Sequence, residues 1–156
     1  MNKIIRILTI VMIAATVGIA TVNAQRGEPK APDYKITNIK IVPFDEASGK
    51  FEDEITKDSD RSFFNDLSIS LFVTIEVSGK AGSFEAGRNI VINVTEGKKV
   101  KFTKTEQVGL IGSEGKYFVP VFLYSSMCDE VTITARLTGQ KTASSMTRKV
   151  PFLCGE

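Results

Sequence analysis

Residues 67–77 read Leu-Ser-Ile-Ser-Leu-Phe-Val-Thr-Ile-Glu-Val, and no other stretch constrains the fold as tightly. Leu67, Ile69, Leu71, Val73, Ile75 and Val77 recur at every second position, separated by Ser68, Ser70, Thr74 and Glu76, with Phe72 as the apolar interruption. A period of two places those six on one face of a pleated strand, whereas a helix would scatter them around its surface. The run is rich in β-branched residues, which suit a half-buried strand. It is expected as a long strand with one face in a core.

Six further segments follow the same period. Residues 34–44 change phase at Thr37-Asn38, which predicts an irregularity, and Pro43 predicts an edge position or the end of pairing. Residues 88–95 turn Ile90, Ile92 and Val94 inward, and after a turn at Glu96-Gly97 residues 99–105 are expected to turn Val100 and Phe102 inward. Residues 117–124 are apolar on both faces. Residues 130–138 set Val131, Ile133, Ala135 and Leu137 against Thr132, Thr134, Arg136 and Thr138, and residues 146–153 follow a turn around 139–144. No segment sustains apolar spacing at i, i+3, i+4 and i+7.

Short strands divided by Gly, Ser and Lys turns, with no helix between them, predict an all-β chain. The expected architecture is a two-sheet antiparallel β-sandwich of about seven strands, with a jelly roll or small barrel as the alternative closure. Over residues 34–153 the pattern resembles the immunoglobulin or fibronectin type III architecture. The chain has no Trp, and its two late cysteines lack the spacing of an inter-sheet bridge, so the resemblance is one of pattern alone. It implies that the fifth strand lies beside the second.

The first 24 residues have the form of a secretory signal peptide, expected to be removed. Lys3 and Arg6 precede an uncharged stretch over residues 7–20, and Val22 and Ala24 stand at the small-residue positions before the cleavage point. That stretch is shorter than a membrane-spanning helix needs. Residues 25–33 form an expected flexible lead-in with two prolines and four charges, and residues 34–156 a single domain. Lys3 and Arg6 are the leader's only charges, so the remaining acidic and basic residues balance. A neutral chain has no net field to recruit nucleic acid or anionic lipid. Secretion or periplasmic export is expected, with no membrane span once the leader is gone.

Cys128 and Cys154 are the chain's two cysteines, and in an exported chain they are expected to pair. If residues 130–138 and 146–153 form a hairpin centred on Lys141, the two cysteines lie opposite each other, at a separation a disulfide spans. The same symmetry turns Val150 and Phe152 toward Thr132 and Glu130, against the core faces. A bulge near Asp129 or Pro151 is therefore expected. A structural staple is the expected role, since no C-x-x-C motif marks a redox pair.

With no His, catalysis by Ser-His-Asp or Cys-His and His-ligated metal sites are excluded, and two Cys cannot build an all-thiolate zinc site. Residues 45–61 carry Asp45, Glu46, Glu52, Asp53, Glu54, Asp58 and Asp60, but Phe63 and Ile69 occupy the positions a calcium loop reserves for Gly and Glu. A solvated acidic loop is expected, and no cofactor. Lys98, Lys99, Lys101 and Lys104 suit an edge protected against strand pairing. Asn93-Val-Thr95 matches a glycosylation acceptor but falls within an expected strand.

The hydrophobic surplus remains. Phe118, Pro120, Phe122 and Tyr124 occupy the outward face of the fifth strand, and Phe72 is the outward aromatic of the second. Phe72, Phe118, Phe122 and Tyr124 are therefore the candidate partner surface, unless Phe51, Ile55, Phe63 and Phe64 of the long loop cover them. The expected function is a non-enzymatic exported binding or accessory module whose partner is a protein or cell-surface component. A surface-assembly subunit is the alternative, with a carboxylate-based enzyme such as a glycosidase behind it.

Overall fold

The alternating run becomes β4 (Ile69–Ser78), the central partner of one sheet. A computed structural model describes residues 32–56, 63–64, 69–124 and 128–153. Its other strands are β1 (Lys35–Asp45), β2 (Lys50–Phe51), β3 (Phe63–Phe64), β5 (Asn89–Glu96), β6 (Lys99–Gln107), β7 (Lys116–Leu123), β8 (Val131–Thr138), β9 (Ser144–Val150) and β10 (Phe152–Leu153). Two antiparallel four-stranded sheets form, in the orders β2-β1-β4-β7 and β6-β5-β8-β9, while β10 and β3 make a small parallel pair. No helix occurs among the described residues. The fold is the expected all-β sandwich, and the fifth long strand, β7, does lie beside β4, the second.

The core fills the space between the sheets. Ile39, Ile41, Leu71, Val73, Ile75 and Val77 enter it from one side, and Ile90, Ile92, Val94, Ile133, Ala135 and Leu137 from the other. Each large aliphatic side chain so buried contributes about 1.5–3 kcal/mol, which is what the period of two encodes. The phase change at Thr37 is a bulge between Ile36 and Asn38 that restores the inward face.

Pro43 does not end pairing. It sits opposite Leu71 within β1, on the open edge of the sheet, and its carbonyl accepts the Glu52 N–H at 3.0 Å. The Ile41 carbonyl accepts the Ile55 N–H at 2.9 Å, so the chain after β2 runs along the free edge of β1. Ile55 is buried there, and Arg148 Nη2 on β9 donates to its carbonyl at 2.8 Å. The first part of the expected solvated loop is thus a hairpin and an edge cover. Asp58 and Asp60 lie outside the described residues.

One expectation fails because a register was counted without its bulge. Val100 was expected inward, but a bulge between Val94 and Thr95 pairs Val94 with Phe102 and Thr95 with Val100. The extra residue, Lys101, reverses the parity, so Phe102 packs against the core and Val100 is 67% exposed. In the last hairpin, Val131 lies opposite Val150 and Leu137 opposite Ser144, with no bulge between them. Burial of Val131 and Val150 sets this register in preference to the symmetric one about Lys141. The strand expected over 146–153 is broken at Pro151, after which β10 leaves to pair with β3.

The expected lead-in also ends earlier than residue 33. Arg88, wholly buried, donates from Nη1 to the Pro32 carbonyl at 2.6 Å, and its guanidinium lies 4.2 Å over the Tyr34 ring. Asp33 Oδ2 accepts the Thr142 N–H at 2.8 Å, and Gln140 brackets Tyr34 by accepting its N–H and donating to its carbonyl. Gly79 and Gly139 permit this crowding: a Cβ on Gly79 would stand 2.5 Å from the Tyr34 ring, and one on Gly139 2.0 Å from the Gly87 carbonyl oxygen. The chain therefore enters at the pole formed by the ends of β4 and β8 and the starts of β5 and β9.

Candidate functional site

The outer face of the β2-β1-β4-β7 sheet grades from aromatic at one pole to charged at the other. Registers define its rows. Phe51 of β2 lies beside Phe44 of β1, which faces Ser70 of β4; in the next row come Val42, Phe72 and Phe122. Lys40, Thr74 and Pro120 follow, then Asn38, Glu76 and Phe118. The aromatic pole is the one opposite the chain entry.

Five rings form one continuous cluster there. Phe44 stands 5.0 Å from Phe51 and 6.1 Å from Phe122; Phe72 stands 6.0 Å from Phe51 and 6.5 Å from Phe122; Phe122 meets Tyr124 edge-on at 4.5 Å. Such pairs contribute about 0.5–1.5 kcal/mol beyond burial, so the cluster is held in place without being sealed. Phe51 and Tyr124 remain 60% and 71% exposed. Between Phe51 and the strands lies a hollow of ≈ 310 Å³, lined by Lys40, Val42, Phe51, Phe72 and Thr74.

Of the sequence-predicted surface, Phe72, Phe122 and Tyr124 come together. Phe118 does not: the Thr74–Pro120 row separates it from the cluster, and it stands 50% exposed beside Glu76. Phe44 and Phe51 were missed. Phe44 was available from the alternation of β1, where Ile41 and Pro43 point inward and Val42 and Phe44 outward. Phe51 was assigned to a covering loop because a two-residue strand carries no period. Its signal is the turn at Ala47-Ser48-Gly49, where Gly49 takes a φ of 68° that closes the hairpin. The side chains of Phe63 and Phe64 lie outside what is described.

The rim is charged. Lys40 pairs with Glu54 at 3.3 Å, and the Ser70 hydroxyl donates to Glu46. Glu52 and Asp53 are exposed and have no ion-pair partner among the described residues. At the other end of the face Thr37 Oγ1 donates to Glu76 at 2.7 Å and Lys116 Nζ lies 3.1 Å from it. The Thr37 hydrogen bond outweighs the opposing effect of burial and, with Lys116 adding to it, holds the Glu76 carboxyl below its ordinary range.

The remaining candidates are placed separately. The Cys128 N–H donates to Glu96 Oε1 at 2.5 Å, and Lys101 Nζ lies 2.6 Å from the other oxygen. The Lys101 bond first, then the Cys128 N–H, lowers the Glu96 pKa. Cys128 is not a free thiol, while Cys154 lies outside the described residues. β6 is an edge strand, as its lysines suggested. Asn93 is exposed on the central strand β5, with its amide oxygen accepting the Thr103 hydroxyl at 3.0 Å. Among the described residues no cluster of His, Cys, Asp and Glu could hold a metal ion, and no helix is long and apolar enough to cross a membrane.

No protein-family model and no curated protein matches the chain. The functional reading therefore rests on the site alone.

Proposed function

We propose that the protein is an exported, non-enzymatic binding module that meets a protein partner through the aromatic pole of its first sheet. The observation that carries this reading is the five-ring cluster centred on Phe72 and Phe122, with Phe51 and Tyr124 mostly open to solvent. Water gains nothing from contact with such a surface, since each Å² of apolar area covered by a partner is worth about 25 cal/mol. Aromatic side chains on a rigid sheet also lose little entropy on docking, which makes them effective anchors.

In this reading residues 1–24 direct secretion or periplasmic export and are removed. Cys128 and Cys154 form a structural disulfide at the aromatic pole. That pairing is supported by the bound state of Cys128 and by Cys154 being the chain's one other cysteine.

The test is capture from the native envelope fraction with the exported chain as bait. A Phe72→Ser/Phe122→Ser pair is expected to abolish a specific capture that Phe84→Ser, a change at an exposed ring away from the cluster, preserves. Equal capture by both variants would overturn the reading. N-terminal sequencing of the natural protein is expected to begin at Gln25.

A further inference from the structure

The hollow beside Phe51 is floored by Val42, Phe51 and Phe72, and its charged lining residue, Lys40, is matched by Glu54 at 3.3 Å. Glu52 and Asp53, which directly follow Phe51, are exposed and have no ion-pair partner among the described residues, so the chain leaving the hollow carries two unmatched acidic charges. A complementary occupant carries an apolar side chain of modest size next to exposed cations. The turn from β5 into β6 has that composition: Lys98, Lys99, Val100 and Lys101 in succession. The bulge at Val94/Thr95 drives Val100 out of the core and leaves it 67% exposed. Lys101 is taken by Glu96, but Lys98 and Lys99 are exposed and have no acidic partner among the described residues.

An exposed valine between lysines has no role in the chain's own core. If the lysines only guarded an edge against pairing, an apolar neighbour would weaken that guard. We infer that the occupant of the hollow is a second copy of this chain, which inserts Val100 against Phe51, Phe72 and Val42 while Lys98 and Lys99 approach Glu52 and Asp53. This rests on the aromatic pole being a protein-binding surface and names the partner.

The geometry specifies the kind of assembly. The hollow lies on the outer face of the β2-β1-β4-β7 sheet, whereas Val100 shares the outward face of Thr95 on the β6-β5-β8-β9 sheet. Donor and acceptor surfaces are different patches on opposite faces of the sandwich. Such a contact is heterologous and joins copies head to tail, as a ring where the rotation closes and as a filament where it does not. Small buried area and exposed ion pairs make it weak and salt-sensitive.

Sedimentation velocity of the exported chain reads this directly. The weight-average sedimentation coefficient is expected to climb with protein concentration through species beyond the dimer, and to fall back as salt rises from about 50 mM to about 500 mM. Val100→Ser removes an exposed side chain and is expected to abolish association with an unchanged Tm. Lys98→Glu/Lys99→Glu and Glu52→Lys/Asp53→Lys are each expected to weaken self-association about tenfold or more, and an equimolar mixture to restore it. A chain that stays monomeric throughout, or association indifferent to Val100 and to both charge reversals, overturns the inference. Failure here combined with loss of envelope capture by Phe72→Ser/Phe122→Ser leaves the aromatic pole as a surface for a different protein. Loss of neither self-association nor capture by that pair removes both readings.

Discussion

Phe72 and Phe122 face each other across adjacent antiparallel strands, on the side of the sheet turned from the core, with ring centroids 6.5 Å apart. Pro120, two residues earlier in β7, lies opposite Thr74 and has no N–H to give, so that pair is not hydrogen-bonded. Pair types alternate along an antiparallel ladder, which makes Phe72–Phe122 a non-hydrogen-bonded pair as well, the type with the closer side chains. The proline thus leaves the ladder intact and fixes two rings side by side on the surface.

Removing one ring is therefore expected to cost less than removing a core residue. Phe122→Ser should lower stability by about 1–2 kcal/mol, through lost ring contacts and partial burial. Ile75→Ala, at a fully buried position, should cost about 2–5 kcal/mol. Phe118→Ser, outside the cluster, should stay within about 0.5 kcal/mol. Urea titrations of the three variants separate these values, and a Phe122→Ser cost equal to that of Ile75→Ala would make the ring core rather than surface.

What was legible in the sequence is what a period of two encodes. β4, β5 and β8 declare their inward faces because every second side chain is driven from water, and the phase change at Thr37 even located the bulge. Bulges in a partner strand are different. Nothing in Lys99 to Gln107 marks Lys101 as the extra residue, since parity is settled by the pairing of Val94 with Phe102. In the last hairpin the core faces alone gave the right register, since Val131 and Val150 pair and are both buried, one residue from symmetry about Lys141. Phe51 and Arg88 were missed because one lies in a strand too short for a period, and the other is a charge whose partners, Pro32 and Tyr34, are distant in sequence.

Three carboxylates give stability a definite pH dependence. Asp33 is lowered first by the Thr142 hydrogen bonds, Glu76 by Thr37 and Glu96 by Lys101. A group whose folded pKa lies below its unfolded value stabilises fully above the unfolded value, and that contribution fades as pH falls through the folded one. Tm is therefore expected to be level from pH 7 to about 5 and to drop progressively below about pH 4. Glu96→Gln should shrink the drop. A Tm that rises between pH 5 and pH 3 would contradict all three assignments.

The proposed disulfide has its own signature. Protein taken from its natural compartment should show no free thiol and one linked peptide pair on non-reducing mass mapping. Cys128→Ala should cost about 2–5 kcal/mol. Because Glu96 also holds the Cys128 N–H, Glu96→Ala should add its own destabilisation even in reduced protein. Two free thiols in native material would refute the pairing.

Arg88 offers the sharpest test of how the chain entry is fixed. It is a fully buried cation, and its carboxylate neighbour is distant: Nη2 lies 3.9 Å from Asp33 Oδ1, and Asp33 is itself partly solvated. Coulombic attraction to a solvated group at that range is weak, so the ion pair does not explain the burial. The short bond from Nη1 to the Pro32 carbonyl and the stacking over Tyr34 do. A charge-assisted hydrogen bond contributes about 1.5–3 kcal/mol, and a desolvated cation–π contact about 2 kcal/mol, against the cost of burying the guanidinium. Arg88→Ala loses both and leaves a cavity beneath Tyr34, and should lower stability by about 3 kcal/mol. Arg88→Met refills the space without the charge and should recover roughly half. Asp33→Asn, which keeps a carbonyl oxygen for the Thr142 N–H, should leave stability close to that of the unaltered chain at neutral pH. If Asp33→Asn proved the costlier change, the ion pair would be the clamp, and the packing of Arg88 on Tyr34 would be incidental.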